Sequence, residues 1–137
     1  MKKKNTLLLF LCLFSLWAVA QEKKPVKIAC VGNSITYGSG IKNQFQNSYP
    51  GLLSQLLGEG YDVRNFGISA RVLLNKGDHP YMHEQKFRDL LAFQPDIVTI
   101  KLGTNDSKPW NWRYGKDFKK DLTEMLDILQ ELPSKPK

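Results

Sequence analysis

Three short polar clusters in this chain carry residue types that could do chemistry, and each follows an apolar run. Gly32-Asn33-Ser34 comes after Lys27-Ile28-Ala29-Cys30-Val31, Asn65-Phe66-Gly67 closes a run beginning at Tyr61, and Gly103-Thr104-Asn105-Asp106 follows Ile97 to Leu102. An apolar run that stops at glycine reads as a buried strand ending in a tight turn. A serine at such a turn offers one exposed hydroxyl, and open α/β sheets bind ligands beyond the carboxyl ends of their strands. If the three strands are parallel, a hydroxyl, a glycine N–H and a side-chain amide converge on one edge. Acyl transfer needs that set: a nucleophile, and donors aimed at the oxyanion that develops during attack. Taken one at a time, Ser34 reads equally well as a turn serine, Gly67 as a turn glycine and Asn105 as a loop cap.

The elements that must hold these clusters alternate in type. Val26 to Val31 predicts a first strand, and the glycine- and amide-bearing stretch from Asn33 to Ser48 a loop bordering the site. Pro50 with Leu52, Leu53, Leu56 and Leu57 predicts a short amphipathic helix closed by Gly58 and Gly60. Tyr61 to Phe66 predicts a second strand, Tyr81 to Phe93 a second helix stopped by Pro95, and Asp96 to Leu102 a third strand rich in β-branched residues. In the last helix, Phe118, Leu122, Met125, Leu129 and Leu132 recur at spacings of four and three, one face made to pack on a sheet. Strand and helix in strict alternation predict parallel strands joined by right-handed crossovers.

With these blocks in place the chain resembles the SGNH (GDSL-type) hydrolases, esterases and lipases built on a flavodoxin-like three-layer α/β/α sandwich. Gly32-Asn33-Ser34-Ile35-Thr36 is similar to the first motif block, with Asn33 where many members carry Asp. Gly67 matches the second block and Gly103-Thr104-Asn105-Asp106 the third, over about residues 26 to 132. The resemblance implies Ser34 as nucleophile, and an oxyanion hole from the N–H groups of Ser34 and Gly67 with the Asn105 amide. Asp106 reads as a loop organiser. Trp110, Trp112 and Tyr114 follow the third block closely enough to line a substrate cleft, where aromatic faces could stack on a sugar; packing the loop onto the domain is the equal alternative. The look of the blocks is similar to secreted bacterial carbohydrate esterases of the sialate O-acetylesterase type, which implies O-deacetylation of glycans. A lysophospholipase or aryl esterase would use the same residues.

The family's fourth block, Asp-x-x-His, has no counterpart after Asp106. The only histidines, His79 and His83, lie between the second and third strands and read as loop or helix-start residues. Without a base a serine hydroxyl is a weak nucleophile. The expectation is therefore a parallel sheet truncated after about three strands, with Ser134-Lys135-Pro136-Lys137 leading toward a fourth. Such a chain would be poorly active as it stands, and a non-catalytic glycan-binding module is the alternative from a different class. Gly32 and Gly38 lack the spacing and the following Lys-Ser/Thr of a phosphate-binding loop. Two histidines near one Asp make no persuasive metal site, and no cofactor is expected.

Residues 1–20 have a different layout. Lys2, Lys3 and Lys4 precede an apolar run from Leu7 to Leu16 and an Ala18-Val19-Ala20 exit, the plan of a cleaved secretory signal with Gln21 as first mature residue. The apolar run is short for a membrane span, so no stable insertion is expected after cleavage and the address is secreted or periplasmic. Bulky Leu11 argues against lipidation at Cys12. The net charge of +7 falls to +4 once the three leader lysines are removed. Those charges are scattered, which argues against a nucleic-acid partner and leaves a small-molecule or glycan ester as the expected ligand. Cys30, alone after cleavage and inside a strand, is expected to be a small core residue.

Overall fold

The computed structural model describes residues 24–137, so the expected leader over residues 1–20 lies outside the described residues. Three strands form the sheet: β1 (Val26–Gly32), β2 (Tyr61–Gly67) and β3 (Ile97–Lys101). They are parallel, in the order β2-β1-β3, with β1 central. That position suits its sequence, since residues Ile28 to Gly32 are all buried. Helices α3 (Tyr49–Leu57) and α4 (Gln85–Phe93) supply the crossovers, and with α6 (Phe118–Gln130) after β3 they flank the sheet, the expected α/β architecture.

The main core fills the side of the sheet that α4 and α6 cover. Ala29, Val31 and Phe66 meet Phe87, Leu90 and Phe93 of α4 and Met125 and Leu129 of α6. The apolar face read from the spacing of α6 is the one that packs, with Phe118, Leu122 and Leu132 at its partly buried margin. Tyr81 is also fully buried; its hydroxyl donates to the Phe66 carbonyl at 2.6 Å, and burial pushes the phenol far above its ordinary pKa. On the opposite side Cys30 is buried as expected, its thiol beside Thr99 and Tyr49, and burial raises its pKa.

Three local expectations need correction. The stretch from Asn33 to Ser48 is not a plain loop, because it winds into α1 (Ser34–Tyr37) and α2 (Gln44–Asn47). Asn33 starts the first by accepting the Ile35 N–H at 3.2 Å, a side-chain cap that the Asn-Ser pair supplies locally. The helix expected over Tyr81 to Phe93 is split into a 3-10 turn (Tyr81–His83) and α4, with Glu84 extended between them. The aromatic loop holds a further turn, α5 (Pro109–Trp112), with Pro at a first-turn position where its missing N–H costs nothing.

Two loops decide where the strand ends point. The segment after β2 is tied to the segment after β3 by Asp106, a fully buried carboxylate whose Oδ1 accepts the N–H groups of Leu73 and Leu74, each at 2.8 Å. Asp121 on α6 fixes the next residue of the same segment by accepting the Asn75 N–H at 2.8 Å. On the far edge of the sheet, Lys137 donates its N–H to the Asp96 carbonyl at 3.0 Å and accepts the Val98 N–H at 2.9 Å. These two bonds have the pattern of a parallel bridge opposite Ile97.

Asp106→Ala would leave two buried N–H groups unpaired, at about 1–3 kcal/mol each. Urea unfolding is expected to show a loss of about 3 kcal/mol, against about 1 kcal/mol for Tyr81→Phe, which gives up one neutral hydrogen bond. Equal losses in the two variants would remove Asp106 from its place as the principal tie.

Candidate functional site

The strand register brings the three polar clusters to one edge. Gly32 pairs with Gly67 on one side and with Lys101 on the other, so Ser34 stands two residues beyond the central strand and Asn105 four beyond β3. Close approach explains both strand-end glycines. A side chain at Gly32 would overlap Thr36 Oγ1 and the Lys101 carbonyl, and one at Gly67 would run into the backbone of Thr36 and Tyr37. Helix α1 is thereby seated directly on the end of β2, and the Ile68 N–H reaches back to the Gly32 carbonyl at 3.0 Å. Ser34 is the first residue of α1, half-buried, at the turn where helical N–H groups lack intrahelical partners.

The donors implied beside Ser34 differ in their availability. The Gly67 N–H donates to Asn65 Oδ1 at 2.9 Å, a local turn two residues long. Its hydrogen is therefore engaged within the protein. Asn105 is buried, and its amide nitrogen donates to the Arg71 carbonyl at 3.0 Å, using one of two hydrogens. Asn33 is 1% exposed, and with Oδ1 bound to the Ile35 N–H its amide nitrogen has no partner among the described residues, nor does the buried Thr36 hydroxyl.

Asn65 and Asn111 are the residues that sequence reasoning passed over. Asn65 joins β2 to α1 at both ends, since its amide also donates to the Thr36 carbonyl at 2.9 Å. Its place two residues before a turn glycine is the signal that could have found it. Asn111, 1% exposed, donates to the Asn105 carbonyl and to Asp78 Oδ1, both at 3.0 Å, and accepts the Asp78 N–H at 2.9 Å. Nothing in its aromatic neighbourhood marks it in the sequence. Through it the third polar cluster is fastened to the loop that carries His79.

The aromatic residues are divided. Trp110 is 54% exposed and donates its indole N–H to Asp78 Oδ2 at 3.1 Å. Trp112 is 53% exposed, but its ring leans on Phe118 with centroids 6.0 Å apart and lies over Gly115. Tyr114 is half-buried beneath the Arg113 guanidinium, 4.7 Å from its ring centre. Desolvation pushes the Asp78 carboxyl up, but hydrogen bonds from Trp110 and Asn111 outweigh it and hold the group below its ordinary pKa. His79 and His83 are both exposed, and neither imidazole makes a hydrogen bond among the described residues. Among those residues there is also no group of three His, Cys, Asp or Glu side chains that could hold a metal ion.

Comparison with known proteins matches this arrangement at the level of sequence and of fold. The profile of the GDSL-like lipase/acylhydrolase family matches residues 30–137. An acetylxylan esterase of Xylanibacter ruminicola is 54% identical over 111 residues, which is 81% of this chain and 23% of that protein. The chain thus spans about a quarter of the length of that curated relative. AlinE4, a SGNH-hydrolase family esterase, superposes with a TM-score of 0.57 at 24% identity, over 80% of this chain and 57% of AlinE4. A variant of the same esterase superposes at 0.59 with 23% identity, over 78% of this chain and 54% of its own. The three-stranded parallel sheet is that of an SGNH hydrolase, and the sequence match covers all three polar clusters: this chain belongs to the GDSL-like lipase/acylhydrolase family.

Proposed function

We propose that this chain carries the nucleophile and the oxyanion donors of a serine ester hydrolase that removes acetyl groups from carbohydrate. The observation that supports the reading is the strand-end register, in which Gly32, two residues before Ser34, pairs with Gly67 and with Lys101, four residues before Asn105. Ser34 Oγ attacks the acetyl carbonyl carbon, and the carbonyl π electrons move onto oxygen. The Ser34 N–H and the second hydrogen of the Asn105 amide receive that oxyanion. The Gly67 N–H joins them only by leaving Asn65 Oδ1. Collapse expels the sugar alkoxide, which takes a proton, and leaves acetyl on Ser34; water then repeats the sequence in reverse. One such donor is worth about 3 kcal/mol of transition-state stabilisation.

A base must take the serine proton, and the residues following Asp106 contain no histidine. His79 and His83 sit on the exposed surface of the loop before α4, so neither is assigned that task. The proposal places the base in an Asp-x-x-His pair outside these 137 residues. Support for a carbohydrate ester comes from the acetylxylan esterase relative and from Trp110, an exposed ring on the loop after β3 whose indole N–H is held by Asp78. A leader at the amino terminus would deliver the protein to where such polymers occur.

The chain alone is expected to release acetate from acetylated xylan barely above background. Joined to the part of the Xylanibacter relative that it does not cover, the chain gains activity, and Ser34→Ala lowers that activity by about 10⁴-fold or more. Activity undiminished in Ser34→Ala would sink the assignment. Failure of a fluorophosphonate to label Ser34 in the joined protein would favour a binding module instead.

The Asp78 contacts set a pH dependence. Because the folded carboxyl is held below its ordinary value of 3.8, its stabilising effect is complete above that pH and is lost as pH falls through the lower folded value. The Trp110 indole N–H resonance is expected to stay constant near neutrality and to move only in that acidic range, while Asp78→Asn displaces it already at neutral pH. A resonance that is the same in both proteins would show that Asp78 does not position the ring.

A further inference from the structure

A groove of about 1010 Å³ runs along the outer edge of β2, between that strand and helices α2 and α3. Its size is that of a ligand site, and it lies apart from the loop of Trp110. Phe45 on its rim is 93% exposed, an unusual setting for a phenyl ring, and Tyr37 beside it is 41% exposed. The amides that line it are anchored by their nitrogens. Gln44 Nε2 donates to the Tyr37 carbonyl, Asn47 Nδ2 to the Lys42 carbonyl at 2.7 Å, and Gln55 Nε2 to the Gln46 carbonyl at 2.8 Å. Each bond uses one of the two amide hydrogens and fixes the side chain, so that a carbonyl acceptor and a second N–H stand at set positions. Arg64 and Lys86 add cationic donors, with Arg64 held in place by Asp62 at 2.8 Å and by the Phe93 ring at 4.2 Å.

Fixed acceptors beside exposed aromatic faces suit a ligand that has many hydroxyls and flat apolar faces. We infer that the β2 edge is a binding groove for an unmodified stretch of polysaccharide, and that it feeds the candidate active site. This rests on the carbohydrate reading proposed above and extends it to a second place on the protein. Continuity with the site runs through Asn65, which lines the groove and also holds the Gly67 N–H and the Thr36 carbonyl. A sugar chain along the groove passes Tyr37, the last residue of the helix that Ser34 opens. The groove therefore recognises backbone sugar rather than the acetyl group, and holds the polymer while substituted positions reach Ser34.

The test uses the ¹⁵N-labelled chain titrated with β-1,4-xylohexaose that carries no acetyl groups. Amide shifts are expected at Phe45, Gln55 and Asn65, and Phe45→Ala is expected to weaken binding about tenfold, the worth of one aromatic contact. Phe45 is almost wholly exposed, so its removal leaves the fold intact. Gln55→Ala, a second variant, is expected to weaken binding with the pattern of shifts otherwise retained. Shifts confined to the Trp110 loop would overturn the groove and leave the carbohydrate reading standing. No shifts anywhere would overturn the groove as well, while Ser34-dependent release of acetate from a non-carbohydrate ester would overturn the carbohydrate reading separately.

Discussion

The arrangement of this chain depends on one buried carboxylate. Asp106 accepts two successive main-chain N–H groups, from Leu73 and Leu74, with no exposure to solvent. Those N–H groups belong to a segment that has no regular partner strand and would otherwise be unpaired in the interior. A buried carboxyl group is itself costly unless it is hydrogen-bonded; Oδ1 meets that need through these two N–H groups, while Oδ2 has no partner among the described residues. The geometrical result is that the loops after β2 and β3 cannot move independently. Asn105, next in the chain, then falls where its amide meets the Arg71 carbonyl. Position of the candidate oxyanion donor is thus a consequence of a bond made by its neighbour.

Much of the fold was legible because it is written in local chemistry. Continuous β-branched and apolar runs gave all three strands to within a residue or two, as at Ile97–Lys101, and the four-and-three spacing gave the buried face of α6. Parallel order followed from alternation alone. Local rules failed where a contact distant in sequence settles the outcome. Asp121 lies on the packed face of α6, where a helix pattern asks for an apolar residue, and is buried because it accepts the Asn75 N–H. Glu84 is extended and interrupts a helix whose sequence would let it continue. Asn111, enclosed by Asp78 and Asn105, sits among tryptophans that draw attention to themselves and are half exposed.

The sequence motifs name candidate residues, but not the hydrogen bonds that already engage them. Spacing can place Gly67 at a strand end, and crowding against Thr36 and Tyr37 explains why it is glycine. It cannot reveal that the hydrogen is already given to Asn65. The same applies at Asn33. Its oxygen caps α1, which fixes the orientation of the amide and turns inward a nitrogen that has no acceptor among the described residues. A carboxylate there would present an acceptor in place of that donor, so Asn and Asp at this position cap the helix equally and differ only in what they offer on the second atom.

The two faces of the sheet are unequal, and the inequality bears on the site. The face toward α4 and α6 is closed by aromatic and aliphatic side chains. On the other face Cys30 and Thr36 are buried, yet Thr99 and Lys101 of β3 are exposed. Tyr49 spans that boundary, its hydroxyl 3.5 Å from Thr99 Oγ1, and burial raises its pKa although the bond to Thr99 opposes the shift. Below Ser34 the layer is therefore polar and partly open, whereas below Phe66 it is apolar and tight. The turn that carries Ser34 consequently derives its rigidity from β2 and Asn65 rather than from β3. A change at Asn65 acts on two strand-end structures together, the seating of α1 and the direction of the Gly67 N–H, while a change on the exposed face of β3 meets neither.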